Sequence, residues 1–239
     1  MIALFTDFGL EGPYVGQVEA VLHEQAPGVP VVNLFADLPP FDIQAAACLL
    51  PAYISRFPPG TVFLCVVDPG VGGERPGVIV QADKHWFVGP GEGLFALLAR
   101  RAAQVECWQL PVPGNASASF HARDVFAPAA ARLARDGRVT GEPVATEILG
   151  KPDWPDDLAQ VVYIDRFGNA ITGIRAIGIP ADTVLTVAGQ RIKSARTFSN
   201  VTVGEIFWYE NSNGLVEIAV NSGRADVALG LEVGSVVGL

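Results

Sequence analysis

Two short loops hold the residues whose types can do chemistry. Asp68-Pro69-Gly70-Val71-Gly72-Gly73-Glu74-Arg75 supplies a carboxylate and a guanidinium, and Phe120-His121-Ala122-Arg123-Asp124 supplies an imidazole. Each loop ends an apolar run. A carboxylate, a guanidinium and an imidazole brought together can deprotonate a water and hold it beside a cationic substrate. The bland alternative is a surface Asp68–Arg75 pair worth about 0–1 kcal/mol, with His121 as a helix-entry residue. The other two histidines, His23 and His85, read as solvent-facing or packing residues.

These loops need a frame. Ile2–Phe5, Val31–Leu34, Thr61–Val67, Val78–Gln81, Trp86–Val88 and Val105–Leu110 read as strands. Thr61–Val67 is continuously apolar, as in a strand buried on both faces. Helical patterns fall at Tyr14–Gln25, from an N-cap at Asp42 to about Ile54, at Gly93–Ala102 and at Val125–Ala134. Strands alternating with helices predict an α/β fold with a largely parallel central sheet. Glu142–Asp157 carries Pro143, Pro152 and Pro155 with no apolar period, and reads as a boundary. After it, short strands punctuated by Gly, Asn and Pro predict a small β-barrel or sandwich. The expected division is an N-terminal α/β domain over 1–145, a linker over 146–157 and a C-terminal β-barrel domain over 158–239.

Composition narrows the function. The chain has 239 residues and a net charge of -9. No Lys/Arg cluster is present to neutralise phosphates, so nucleic acid is not an expected partner. No apolar run reaches the ~20 residues that span a bilayer. Cys48, Cys65 and Cys107 lie far apart in apolar contexts, which predicts reduced, buried thiols in a cytoplasmic protein and no zinc site. With no basic stretch after Met1, no signal peptide is expected.

Four motifs bear on the ligand, three of them with two readings each. Asp7 in Thr6-Asp7-Phe8-Gly9 ends the first strand, where it either accepts hydrogen bonds from sugar hydroxyls or forms a turn. The glycine-rich loop after Asp68 lacks the spacing of a P-loop or a dinucleotide fingerprint. Asp165-Arg166-Phe167-Gly168-Asn169 either stacks on a flat heterocycle or is a hairpin turn. Asn211-Ser212-Asn213-Gly214 either holds a small zwitterion or is a second turn.

Taken in order, these four motifs and Phe120-His121-Ala122-Arg123-Asp124-Val125-Phe126-Ala127-Pro128 resemble the S-adenosylmethionine hydroxide adenosyltransferase family, relatives of fluorinase and chlorinase. The resemblance spans nearly the whole chain. It implies an N-terminal α/β domain, a C-terminal barrel and a homotrimer with sites between subunits. It implies hydrolysis of S-adenosylmethionine to adenosine and L-methionine, with no cofactor and no metal. Asp68, Arg75 and His121 match the water-activating triad, which the halogenating relatives lack. In that role His121 is the base, Asp68 orients the water or the imidazole, and Arg75 neutralises Asp68.

Asp7 matches the ribose ligand. Phe8, Phe41, Phe120, Asp165, Phe167 and Asn169 match the surroundings of the nucleoside. Ser212, Asn213 and Ser222 match the remaining substrate contacts. The family's Thr-Asp-Phe-Gly-x-x-Asp ends here in Gly12, and the halogenases' carboxylate-binding arginine is matched by Asn213. The remaining alternatives are a halogenase-like substitution and a non-catalytic binder of S-adenosylmethionine or a nucleoside.

Overall fold

The computed structural model describes residues 1–239. By internal contacts the chain forms two compact units. One comprises Met1–Leu50 and Ile54–Asp153; the other comprises Pro51–Tyr53 and Trp154–Leu239.

The first unit opens with β1 (Ile2–Thr6), α1 (Tyr14–Gln25), β2 (Val31–Phe35), α2 (Ile43–Tyr53) and β3 (Val62–Val66). It continues with β4 (Gly77–Ala82), β5 (His85–Pro90), α3 (Ala96–Arg101), β6 (Val105–Leu110), α4 (Ala127–Asp136) and β7 (Glu142–Val144). Its seven strands lie in the order β2-β1-β3-β5-β4-β6-β7. The first four are parallel to one another, and β4, β6 and β7 are antiparallel additions. Every residue of β1 and of β3 is buried, so both faces of these strands are covered. Ile2, Leu4, Val62, Leu64 and Val66 pack on one face against α1 and α4. Asp42 caps α2 through a 2.9 Å bond from the Ala45 N–H, as its sequence position predicts.

This strand order fixes where chemistry can sit. The chain leaves β1 toward β2 on one side, then crosses back to β3 on the other. Right-handed crossovers in opposite directions place α1 and α2 on opposite faces. The crevice at the carboxyl ends of β1 and β3 is therefore the topological switch point, where open α/β sheets bind ligands. Thr6 pairs with Val66 in register, so Asp7 and Asp68 leave the sheet side by side.

The proline-rich segment is more ordered than its composition indicates. Glu142–Val144 pairs with β6, and a 3₁₀ turn at Thr146–Leu149 buries Leu149 completely. The contact boundary falls between Asp153 and Trp154. The Gly93–Ala102 helix is shorter than its pattern, starting at Ala96.

The second unit contains β8 (Leu158–Ile164), β9 (Ala170–Arg175), β10 (Val184–Val187), β11 (Gln190–Lys193), β12 (Ile206–Glu210), β13 (Leu215–Val220), α5 (Ala225–Leu229) and β14 (Val237–Gly238). The strands form two sheets, β12-β13-β9-β8 and β11-β10-β14. Single bridges join the sheets at both edges, Gln160 to Val236 and Ser194 to Trp208, so the strands follow one another around a barrel-like ring. The core inside includes Leu185, Trp208, Val216 and Ile218. The five-residue α5 has no counterpart in the sequence pattern, because it is too short to show a period.

No helix is long and apolar enough to cross a membrane. All three cysteines are buried and none is in a disulfide, and burial pushes the Cys65 and Cys107 thiols up.

Candidate active site

Asp68 leaves the end of β3 in a loop that turns back at once. Gly72 makes the return possible. Its φ is +78°, and a Cβ there would strike the Ala118 carbonyl. This close approach ties the Asp68 loop to the segment that carries His121. Gly72→Ala is accordingly expected to cost about 1–3 kcal/mol through the left-handed backbone and to lower turnover; wild-type values of both melting temperature and kcat would remove the loop from the argument.

The loop brings Arg75 back onto Asp68. Arg75 Nε donates to Asp68 Oδ1 at 2.7 Å, and Nη2 donates to Oδ2. The two side chains are only 4% and 7% exposed. The bland surface-pair reading therefore fails: this is a buried, two-point ion pair. Arg75 also lies over the Phe126 ring at 5.2 Å, and its Nη1 has no partner in the protein.

His121 comes from the other direction. It opens a π-helical turn, Ala122–Phe126, that runs directly into α4. Such turns are rare and are found most often at functional sites. Asp124 braces the turn by accepting from the Ser117 N–H at 2.8 Å and from Arg123, while Arg123 Nη1 reaches Gln17 of α1 at 2.9 Å. His121 is 6% exposed. Its Nδ1 lies 3.1 Å from Arg75 Nη2. The guanidinium has no lone pair to offer and stays protonated. Nδ1 must then be the acceptor, and the neutral ring carries its proton on Nε2. Burial, and then the Arg75 charge, hold the imidazole below its ordinary pKa, with Asp68 and Asp124 opposing them. The ring is neutral near pH 7.

These groups border a cavity of about 110 Å³ lined by Asp7, Phe8, Phe41, Asp68, Phe120 and His121, with Val66, Val71, Ser119 and Ala122 between them. Asp7 Oδ2 accepts from the Phe41 N–H at 3.1 Å. That bond holds Phe41 at a φ of 64° with the residue 75% exposed. Left-handed backbone in a bulky residue costs about 1–2 kcal/mol, so Phe41 is held under strain in a position open to a ligand. Burial, with the Asp68 charge adding, raises the Asp7 carboxyl above its usual range, and the Phe41 N–H opposes this. Phe120 stands edge-on to Phe8 and Tyr14 at 6.1 and 5.4 Å. Tyr14, Gln17 and the Arg123–Asp124 pair escaped sequence reasoning; the nearness of Arg123 and Asp124 to His121 was the signal available.

The remaining candidates lie in the second unit. Asp165 accepts from the Phe167 N–H at 2.8 Å and from the Asn169 N–H and Nδ2 at 2.9 and 3.0 Å. That loop leaves Phe167 75% exposed and Asn169 buried. Ser212 and Asn213 lie on the β12–β13 turn, with Asn213 Nδ2 3.4 Å from Ser212 Oγ. Ser222 is exposed, at a φ of 58°.

Residues 2–141 match the SAM hydroxide adenosyltransferase N-terminal domain, and residues 159–238 match the C-terminal domain of the same family. A (R)-S-adenosyl-L-methionine hydrolase of Thermus thermophilus is 42% identical, over 100% of this chain and 98% of its own length. Another protein of that name, from Salinispora tropica, is 34% identical over 98% of this chain and 95% of its own. An uncharacterized conserved protein of Thermotoga maritima, known as a crystal structure, superposes with a TM-score of 0.89 at 29% identity, covering 100% and 99% of the two chains. A Nocardia brasiliensis fluorinase is more distant, at 22% identity over 98% of this chain and 94% of its own. The chain belongs to the SAM hydroxide adenosyltransferase family.

Proposed function

We propose that the buried Asp68–Arg75–His121 array activates the water with which this chain hydrolyses S-adenosylmethionine to adenosine and L-methionine. The observation that carries the assignment of roles is the contact of one guanidinium with both the Asp68 carboxylate and His121 Nδ1. The water oxygen attacks ribose C5′ and the C5′–S bond breaks. Its electron pair stays on sulfur, so methionine leaves as a neutral thioether. No acid, metal or cofactor is needed for such a leaving group.

The difficulty lies with the water. His121 Nδ1 is engaged by Arg75, so the ring presents Nε2–H and acts as a donor rather than as the base that residue type alone indicates. A donor at the oxygen stabilises developing hydroxide. Asp68 retains lone pairs beyond the two that Arg75 uses and is the group able to take the water's proton. Burial strengthens the attraction between that oxygen and the sulfonium.

Asp7 is the ribose ligand in this reading, and Phe41 and Phe120 flank the nucleoside. Ligands of drug size fill about 300–1,000 Å³. The cavity of about 110 Å³ takes only part of the substrate. This supports the homotrimer, in which a neighbouring subunit's Asp165–Asn169 loop adds the exposed Phe167 and Asn169, and its Ser212, Asn213 and Ser222 add further contacts. Residues 1–145 and 158–239 are then the two domains, joined by 146–157. Three buried thiols outside any disulfide fit a cytoplasmic setting.

Phe41→Gly is expected to raise KM while leaving kcat and melting temperature near wild type, since the ring is exposed and the replacement relieves its backbone. The reaction itself is tested by incubating the protein with S-adenosylmethionine. Adenosine and methionine in equal amounts are expected on chromatography, unchanged by added chloride or fluoride. A halide-dependent 5′-halo-nucleoside would establish the halogenase reading, and saturable binding without product would establish a binder.

A further inference from the structure

The second unit holds a buried carboxyl group that the reaction does not use. Glu217 lies on β13, directly opposite Tyr209 of β12, and is 5% exposed. Its Oε1 accepts from the Tyr209 hydroxyl at 2.5 Å, and its Oε2 accepts from Asn211 Nδ2 at 2.9 Å. Asn211 is itself buried and directs its other amide atom into the turn. Asn211 Oδ1 accepts from the Asn213 N–H at 2.9 Å and from the Leu215 N–H at 3.1 Å. One unbroken chain of hydrogen bonds thus runs from Glu217 through Asn211 to the backbone of the turn that presents Ser212 and Asn213.

We propose that Glu217 is a positioning residue for substrate: by gripping Asn211 it fixes the Ser212–Asn213 turn that takes the amino-acid end of S-adenosylmethionine. This rests on the reading above that the turn contacts substrate. The arrangement answers a gap in the sequence. With Gly12 and Asn213 at positions where relatives carry charged groups, recognition of the zwitterionic end falls to hydroxyl, amide and backbone groups. Neutral hydrogen bonds are individually weak and sensitive to angle, so they discriminate only when the turn is held still. A buried carboxyl bonded at both oxygens supplies that rigidity. Burial, with the Asp165 charge adding, raises its pKa above the usual range, while Tyr209 and Asn211 oppose this. Glutamine keeps the length of the side chain and one acceptor oxygen for Asn211 Nδ2. The Tyr209 hydroxyl can turn to accept where it now donates.

The test compares KM and kcat for S-adenosylmethionine, with the urea midpoint, across Glu217→Gln, Glu217→Leu, Asn211→Ser, Ser212→Ala and Asn213→Ala. Asn211→Ser keeps a turn-forming oxygen but cannot reach Glu217. Glu217→Gln is expected within about threefold of wild type in both constants, while Glu217→Leu and Asn211→Ser raise KM about tenfold with kcat little changed, the signature of lost uniform binding. If Glu217→Leu does not fold, Asn211→Ser carries the same test. Wild-type KM in a folded Glu217→Leu or in Asn211→Ser, with Asn213→Ala raising KM, overturns the positioning role and leaves the substrate turn standing. Wild-type KM in Asn213→Ala and in Ser212→Ala overturns the substrate turn, and the positioning role falls with it.

Discussion

Arg75→Leu is expected to lower kcat about 10³-fold and to destabilise the protein together. Arg75 and Asp68 are both buried, so removing the cation leaves a carboxylate without compensation. Breaking such a pair costs about 3–5 kcal/mol. In a chain of this size that is a fall in melting temperature of roughly 6–20 °C. The activity loss has a separate origin. Arg75 anchors the Asp68 carboxyl at two points and fixes the His121 tautomer, so its removal disables both partners of the water; loss of one such donor alone is worth about 10²–10³-fold. The double replacement Asp68→Leu with Arg75→Leu separates the two effects. It leaves no uncompensated charge, so stability returns toward wild type, while turnover stays lost. Thermal melts and steady-state rates on the three variants decide the matter. An Arg75→Leu enzyme with normal turnover would take the guanidinium out of the mechanism.

His121 gives the second large effect. His121→Ala is expected to lose about 10²–10³-fold in kcat, as for loss of one donor to a developing oxyanion. His121→Gln is expected to recover at least about tenfold of that loss. Its amide oxygen can accept from Arg75 and its amide nitrogen can donate to the water, yet it has no basicity in the working range. A glutamine enzyme as inactive as the alanine one would instead make the histidine the base.

The pH profile follows from the same contacts. Protonation puts an N–H on Nδ1 against Arg75, so activity falls as pH drops below the ordinary histidine value of ~6.5. Stability moves in the same direction. The folded pKa lies below the unfolded one, so the unfolded chain binds more protons in the interval between them. The His121 contribution is fully present above the unfolded pKa and is lost as pH falls through the folded one. Urea midpoints of wild type and His121→Gln across pH 5–8 should diverge only on the acid side.

Much of this site was legible because its residues sit where strands end. Asp7 and Asp68 follow apolar runs that sequence marks as strands, and parallel register places the two side by side. Residue types and glycine spacing pointed to Phe167 and the 68–75 loop, while Phe41 and Phe120 came only from the family resemblance. What sequence could not give was direction. Whether Arg75 meets Asp68 in solvent or in the core depends on Gly72 passing the Ala118 carbonyl, a contact between segments far apart in the chain. The role of His121 depends on which nitrogen faces the guanidinium, and residue type alone favoured a base. Composition misled over 142–157, where three prolines concealed a paired edge strand at Glu142–Val144 and a buried Leu149. The grip of Glu217 on Asn211 is a cross-strand relation, visible only once Tyr209 and Glu217 are known to be opposite.

The central claim is that oxygen from water becomes the 5′-hydroxyl of adenosine in a site built from Asp68, Arg75 and His121. The most direct measurement is mass spectrometry of the products formed from S-adenosylmethionine in oxygen-18 water. One labelled oxygen in adenosine, located at the 5′ position, and none in methionine are expected, with Arg75→Leu forming far less of the same labelled product. Unlabelled adenosine, or label carried by methionine, would contradict attack of water at C5′.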